Sequence, residues 1–235
     1  MSTRIRNLGI LACALGVAGI ATAAPITATF TTFGALPGAT FGGTGIPNNA
    51  VAITTSGELT LGLTATQRFG APALTNNGAG VFTAQAGVSA DAPSPADPYA
   101  LWNFGFYIAG STAAQYSFRL FYDFDPAADT EQAEHGRTLA PAGAVTSTSQ
   151  GSWNLGMNFL ELGAPIVEDT PLVPSFDPRV AGQYSFALVA YSSDEELART
   201  AIVVNVNAVP VPEPTSLALA GLALAALGLG RRRAR

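Results

Sequence analysis

The densest set of groups able to do chemistry is Asp123-Phe124-Asp125-Pro126-Ala127-Ala128-Asp129-Thr130-Glu131, followed by Glu134 and His135. Calcium takes six to eight oxygen ligands, several from carboxylates. If a strand runs to Asp125, Asp123 and Asp125 point the same way, and the next turn brings Asp129 and Glu131 toward them. These four would then begin a calcium shell. The segment has neither the sharp-turn glycine nor the bidentate glutamate of an EF-hand, so the plainer reading is preferred: an acidic loop held in water after a β-strand. No cofactor is otherwise implied. Asp194-Glu195-Glu196 and Glu168-Asp169 read as further acidic loops, the first joining two strands.

His135 is the single histidine of the chain and reads as a surface residue. There is no nucleophile elbow, no His-rich metal motif and no phosphate-binding glycine loop. Paired carboxylates could support glycoside hydrolysis, but acids scattered through loops do not sort themselves into such a pair, and no catalytic residues are assigned. Trp102 and Trp153 could stack on a sugar. Both fall in patterns shared with Phe104, Phe106 and Phe159, where core packing is the better reading.

The elements that must position these groups are strands. Residues 201–208 alternate, with Ile202, Val204 and Val206 on one face. Residues 115–123 and 183–191 alternate as well, and 26–33, 58–65, 100–108 and 153–162 complete the set. Short period-2 segments between Gly, Pro, Asn and Asp predict an all-β fold, a single antiparallel β-sandwich. A helical turn fits near 129–135. Gln115-Tyr116-Ser117-Phe118 recurs as Gln183-Tyr184-Ser185-Phe186, which reads as two similar inner strands of one sandwich. Residues 24–49 and 90–98, rich in small residues and proline, include long surface loops.

The chain has 235 residues, with 48% hydrophobic and only 11% charged. Its basic residues are all arginine, and its net charge of −5 excludes the basic patch that nucleic acid needs. One cysteine, Cys13, excludes an internal disulfide.

Much of the hydrophobicity sits at the ends. Arg4 and Arg6 precede an apolar run over 8–20, and Ala21-Thr22-Ala23 is a small-x-small cleavage site. Residues 1–23 thus read as a secretory signal peptide, cut after Ala23 and removing Cys13. Residues 24–209 form the ectodomain, with five arginines against fifteen acids and a formal charge of −10. Residues 210–235 combine Pro212-Glu213-Pro214, an uncharged apolar run of 14 residues, and Arg231, Arg232, Arg233 and Arg235. As a helix the run spans roughly 21 Å, which snorkelling arginines extend toward a bilayer. The arginines stay cytoplasmic by the positive-inside rule. The two ends predict export of the middle with a C-terminal transmembrane helix at the inner membrane.

The order proline–glutamate–proline, apolar helix, arginine cluster resembles the PEP-CTERM sorting domain of Gram-negative bacteria. The resemblance covers the last 25 or so residues. It implies recognition by exosortase, a membrane-embedded cysteine protease, which removes or exchanges the tail during export. Pro212, Glu213, Pro214 and the arginines would be read as substrate. The resemblance further implies a cell-surface or extracellular-matrix protein, structural or adhesive, linked to exopolysaccharide and biofilm. A secreted glycan-active enzyme and a tail-anchored periplasmic binding module are the alternatives. Tyr122-Asp123-Phe124-Asp125-Pro126, Ser152-Trp153-Asn154-Leu155-Gly156, Phe176-Asp177-Pro178-Arg179 and Gly182-Gln183-Tyr184-Ser185-Phe186 are similar to ectodomains of other PEP-CTERM proteins, which implies an immunoglobulin- or cadherin-like sandwich.

Overall fold

A computed structural model describes residues 24–95, 97–157, 159–160 and 166–209. The predicted signal peptide with Ala21 and Ala23, and the tail from 210 onward, lie outside the described residues. Among the described residues, no helix is long and apolar enough to cross a membrane.

The strands are β1 (Thr32–Gly34), β2 (Val51–Ser56), β3 (Leu59–Gln67), β4 (Thr75–Asn76), β5 (Val81–Gln85), β6 (Trp102–Ala109), β7 (Ser117–Tyr122), β8 (Gly136–Ala140), β9 (Thr148–Trp153), β10 (Val167–Asp169), β11 (Gly182–Ser192) and β12 (Glu195–Asn207). Short 3-10 turns occupy Ala113–Gln115, Gln132–Glu134 and Leu155–Met157. One sheet has the order β1-β2-β3-β6-β9 and the other β10-β8-β7-β11-β12-β5-β4.

Alternation places Leu59, Leu61, Leu63 and Ala65 of β3 on the inner face beside Trp102, Phe104 and Ile108 of β6. Across from them lie Phe118, Leu120 and Tyr122 of β7, Tyr184, Phe186 and Leu188 of β11, and Ile202, Val204 and Val206 of β12. Phe104 stacks on Phe186 at 4.6 Å between ring centroids, and Trp102 meets the same ring edge-on at 6.1 Å. Such pairs add to the area buried because ring edges are positive and faces negative. The Tyr-Ser-Phe echo opens β7, with Tyr116 just ahead of it, and lies within β11, its neighbour at the centre of the seven-stranded sheet.

The predicted antiparallel sandwich needs one correction. β5 runs parallel to β12, from Val81 beside Val203 to Gln85 beside Asn207, so that sheet is mixed. The β4–β5 hairpin brings the chain in along β12 in the same direction. Strand alternation carries no information about a partner's direction.

Three boundaries also shift. Residues 26–33 are not one strand. The arm touches β12 through Thr29 and Ala201, then passes to the other sheet, where Thr31 N–H donates to Ile53 and β1 begins. The strand predicted over 153–162 is not there among the described residues: β9 lies ahead of it at Thr148–Trp153, Asn154 turns the chain, and Leu155–Met157 form a 3-10 turn. The β11–β12 turn is only Ser193-Asp194, both at positive φ (48° and 67°), the geometry that suits a strand's right-handed twist. Glu195 and Glu196 belong to the ladder, and Leu197 bulges between Glu196 and Ala198.

Both outer faces carry a small apolar cover from the region expected to be surface loop. Ile26 packs on Phe121, Ala187, Val189 and Ala201 over the seven-stranded sheet. Ala39 and Phe41 pack with Val51 and Tyr107 over the five-stranded sheet. Gly105 makes room there: a Cβ on it would lie 2.9 Å from the Phe41 ring.

Candidate functional site

The acidic segment folds into its own hydrogen bonds. β7 ends at Tyr122, so the strand alternation expected to align Asp123 with Asp125 has already stopped. Asp123 turns inward and is 1% exposed. Its Oδ1 accepts the Asp125 N–H at 2.9 Å, and Asp125 Oδ1 accepts the Ala127 N–H at 2.8 Å. These are successive Asx turns, in which a carboxylate caps the backbone two residues on. Asp129 sits at φ 56°, and its N–H donates to Gln183 Oε1 at 2.8 Å. Glu131 pairs through its backbone with Pro25. Among the described residues, no group of three or more His, Cys, Asp or Glu is placed to hold a metal ion, and the structure does not bring Asp123, Asp125, Asp129 and Glu131 together as one.

What the segment does assemble is a pair around His135. The surface position expected for this histidine is wrong: it is 4% exposed. The 3-10 turn at Gln132–Glu134 carries the ring over the outer face of the seven-stranded sheet. Nδ1 lies 2.9 Å from the Glu131 carbonyl and Nε2 lies 2.7 Å from Ser185 Oγ. A carbonyl can only accept, so Nδ1 carries the proton and Nε2 accepts from the serine hydroxyl. Burial holds the imidazole below its ordinary pKa and so neutral. Asp123 Oδ2 is 3.7 Å from Nε2, beyond hydrogen-bond reach. Burial drives its carboxyl up to about 7, against the Asp125 N–H and Thr130, which pull it down.

The residue types are those of a Ser–His–Asp triad, but the arrangement differs. The carboxylate lies on the same ring nitrogen as the serine, whereas a triad sets it on the other. Ser185 and Asp123 are buried along with the ring, so the hydroxyl is closed to a substrate. The geometry locks residues 123–135 onto the sheet.

Glu168 and Asp169 are likewise not a free acidic loop. They stand in β10, where Glu168 takes Arg119 at 2.7 Å and Arg137 at 3.2 Å, and Asp169 takes Arg137 at 2.7 Å. Arg119, hydrogen-bonded to it, holds the Glu168 carboxyl below its usual range. Trp102 is core, and Trp153 packs on Phe104 and Phe106 at 5.8 and 4.7 Å, as the packing reading expects.

The opposite outer face is built differently. A cleft of about 700 Å³ opens over the five-stranded sheet between the loop carrying Phe41 and Ile46 and the turn at Arg68-Phe69-Gly70. Thr66 of β3 and Asn103 of β6 are directly paired and line its floor, with Ser152 of β9. Arg68 forms its side wall, bound to Asp91 through Nε at 2.9 Å and Nη2 at 2.7 Å and lying over the Tyr99 ring at 4.6 Å. The Arg68 hydrogen bonds hold Asp91 well below the usual carboxylate range. Sequence reasoning missed this set. Its only signal was Gln67-Arg68-Phe69-Gly70, an aromatic in a turn directly after a strand.

Comparison with known proteins reaches only the tail. No curated protein and no solved structure matches the chain. Residues 210–234 match the family model of the PEP-CTERM protein-sorting motif. That span holds Pro212, Glu213, Pro214, Arg231, Arg232 and Arg233. The chain therefore carries a PEP-CTERM protein-sorting motif over residues 210–234, which supports its reading as an exosortase-sorted exported protein.

Proposed function

We propose that the protein is a structural or adhesive component of the cell surface or extracellular matrix, tied to exopolysaccharide or biofilm. The observation that carries this reading is the sorting motif joined to a β-rich body whose serine–histidine pair is closed to solvent. The general secretion machinery exports the chain and signal cleavage follows Ala23. Residues directly after that point support the boundary, since Ala24 accepts a hydrogen bond from Gln132 and Ile26 is buried against the sheet. The C-terminal apolar segment then anchors the protein at the inner membrane until exosortase acts at Pro212-Glu213-Pro214. The body, residues 24–209, is read as a single immunoglobulin- or cadherin-like sandwich on the strength of its two packed sheets of short strands.

The test follows the protein in its producing cells. Fractionation should find it with the surface and matrix, and its deletion should reduce adherent biofilm. Retention in the periplasmic fraction, or unchanged biofilm on deletion, contradicts the proposal.

A further inference from the structure

The cleft over the five-stranded sheet has hydrogen-bonding groups without partners. Ser152 Oγ is buried and makes no hydrogen bond among the described residues. Native proteins rarely leave such a group unpaired unless something else meets it. Asn103 is set by its neighbour. Asn154 Nδ2 donates to Asn103 Oδ1 at 2.8 Å, which fixes the flip and directs the Asn103 amide N–H groups to a different acceptor. Asn154 is itself held by Ala100 and Trp102, so the amide is mounted on a rigid base. Thr66 supplies a hydroxyl that both donates and accepts, and Gln67 a second amide.

At the mouth stands Phe69, 90% exposed, the most exposed large apolar side chain among the described residues. A single exposed apolar residue is ordinary. This one is placed by structure. Ala71 N–H closes a turn onto the Arg68 carbonyl at 3.0 Å, and Gly70 takes the positive φ of 69° that a type II turn requires. Arg68, pinned by Asp91 and Tyr99, anchors the turn on one side.

The charges narrow the ligand. Arg68 and Asp91 are the charged residues lining the cleft, and they neutralise each other in a bidentate pair. No free cation remains for a phosphate or carboxylate and no free anion for an amine. The surrounding body, at −10, repels polyanions. Uncharged donors and acceptors beneath a flat apolar ring, in a cleft of ligand size, match a molecule with hydroxyls at its edge and C–H bonds on its face. We propose that this cleft binds a neutral glycan, one sugar ring lying on Phe69 with its hydroxyls bonded to Asn103, Ser152 and Thr66. The inference deepens the adhesive reading and rests on it for its biological setting.

The test uses the full chain, purified in detergent, on a printed panel of neutral gluco-, galacto-, manno- and xylo-oligosaccharides with oligo-uronates alongside. At least one neutral series should bind and the uronates should not. Phe69→Ala should weaken binding about tenfold or more at an unchanged melting temperature, and Ser152→Ala should weaken it several-fold. Binding of no neutral series, binding of uronates alone, or affinity unchanged in both variants would overturn the proposal. The panel reads the body and not the tail, so a sorting failure in cells leaves it untouched. Conversely, a protein that sorts and adheres normally while ignoring every neutral series loses the cleft proposal only.

Discussion

The two outer faces of the molecule hold similar polar residues in opposite conditions. Over the seven-stranded sheet, Ser185 lies under the segment 123–135, whose buried Asp123 and His135 face it, with both imidazole nitrogens bonded. Over the five-stranded sheet, half-buried Ser152 holds a buried Oγ without a partner in the floor of an open cleft, and Asn103 is bonded on one side only. The first arrangement spends its hydrogen bonds on holding a loop. The second keeps them for something outside the chain. A triad-like list of residues therefore marks the structural face here, and unremarkable amides and hydroxyls mark the binding face.

Removing His135 should break the comparison most visibly. His135→Ala leaves the Ser185 hydroxyl without its partner, takes one of two donors from the Glu131 carbonyl, which keeps the Glu134 N–H, and opens a buried void, costing about 3 kcal/mol. Urea unfolding should show it. A loss of only a few tenths would mean the closed face is not a lock.

Asn154→Ala comes next. It frees the Ala100 backbone on both sides and releases Asn103, costing about 2 kcal/mol. It should also weaken any ligand of the cleft, joining a stability effect to a binding effect on one face.

Asp123→Asn sharpens the comparison through pH. The Asp123 carboxyl titrates at about 7 in the folded protein against 3.8 otherwise, so the native state favours the protonated form. Its contribution is present at low pH and is lost as pH rises from about 4 through about 7. His135 has the opposite sign: its pKa is lowered by burial, and its contribution is lost as pH falls below 6.5. The amide removes the first branch. The variant should gain on the order of 1 kcal/mol over the parent at pH 8 relative to pH 5. Melting curves across that range check it, and parallel pH profiles would contradict it.

The smallest expected effect is the sharpest contrast. Ser185→Ala should cost about 1 kcal/mol, since it strips His135 Nε2 of its donor, while Ser152→Ala should cost nothing or stabilise slightly, since it removes an unpaired buried hydroxyl. Equal costs at the two serines would erase the distinction between the faces.

The strands of the core were legible because burial on one face writes itself as alternation. β3, β6, β7 and β11 fall within a few residues of their sequence readings, and β12 matches at its end but starts six residues early, at Glu195 instead of Ala201. β5 and β8 were not seen, being five residues each and built largely from small or polar types. The burial of His135 was invisible for a different reason. It depends on Ser185, fifty positions away, and on a turn carrying the ring over a sheet that alternation alone does not assemble. Phe69 was hidden in the same way: exposure is a property of the fold. The tail was the reverse case, since its three parts are contiguous and needed no fold to be recognised.

The most direct test of the account is the intact mass of the protein recovered from its producing cells. The proposed signal cleavage after Ala23 and sorting through the PEP-CTERM motif together predict a chain that starts at Ala24 and has lost the peptide carrying Arg231–Arg235. Substituting Glu213→Ala, or removing exosortase, should restore that peptide. A secreted protein that keeps its arginines in the presence of exosortase would contradict the assignment.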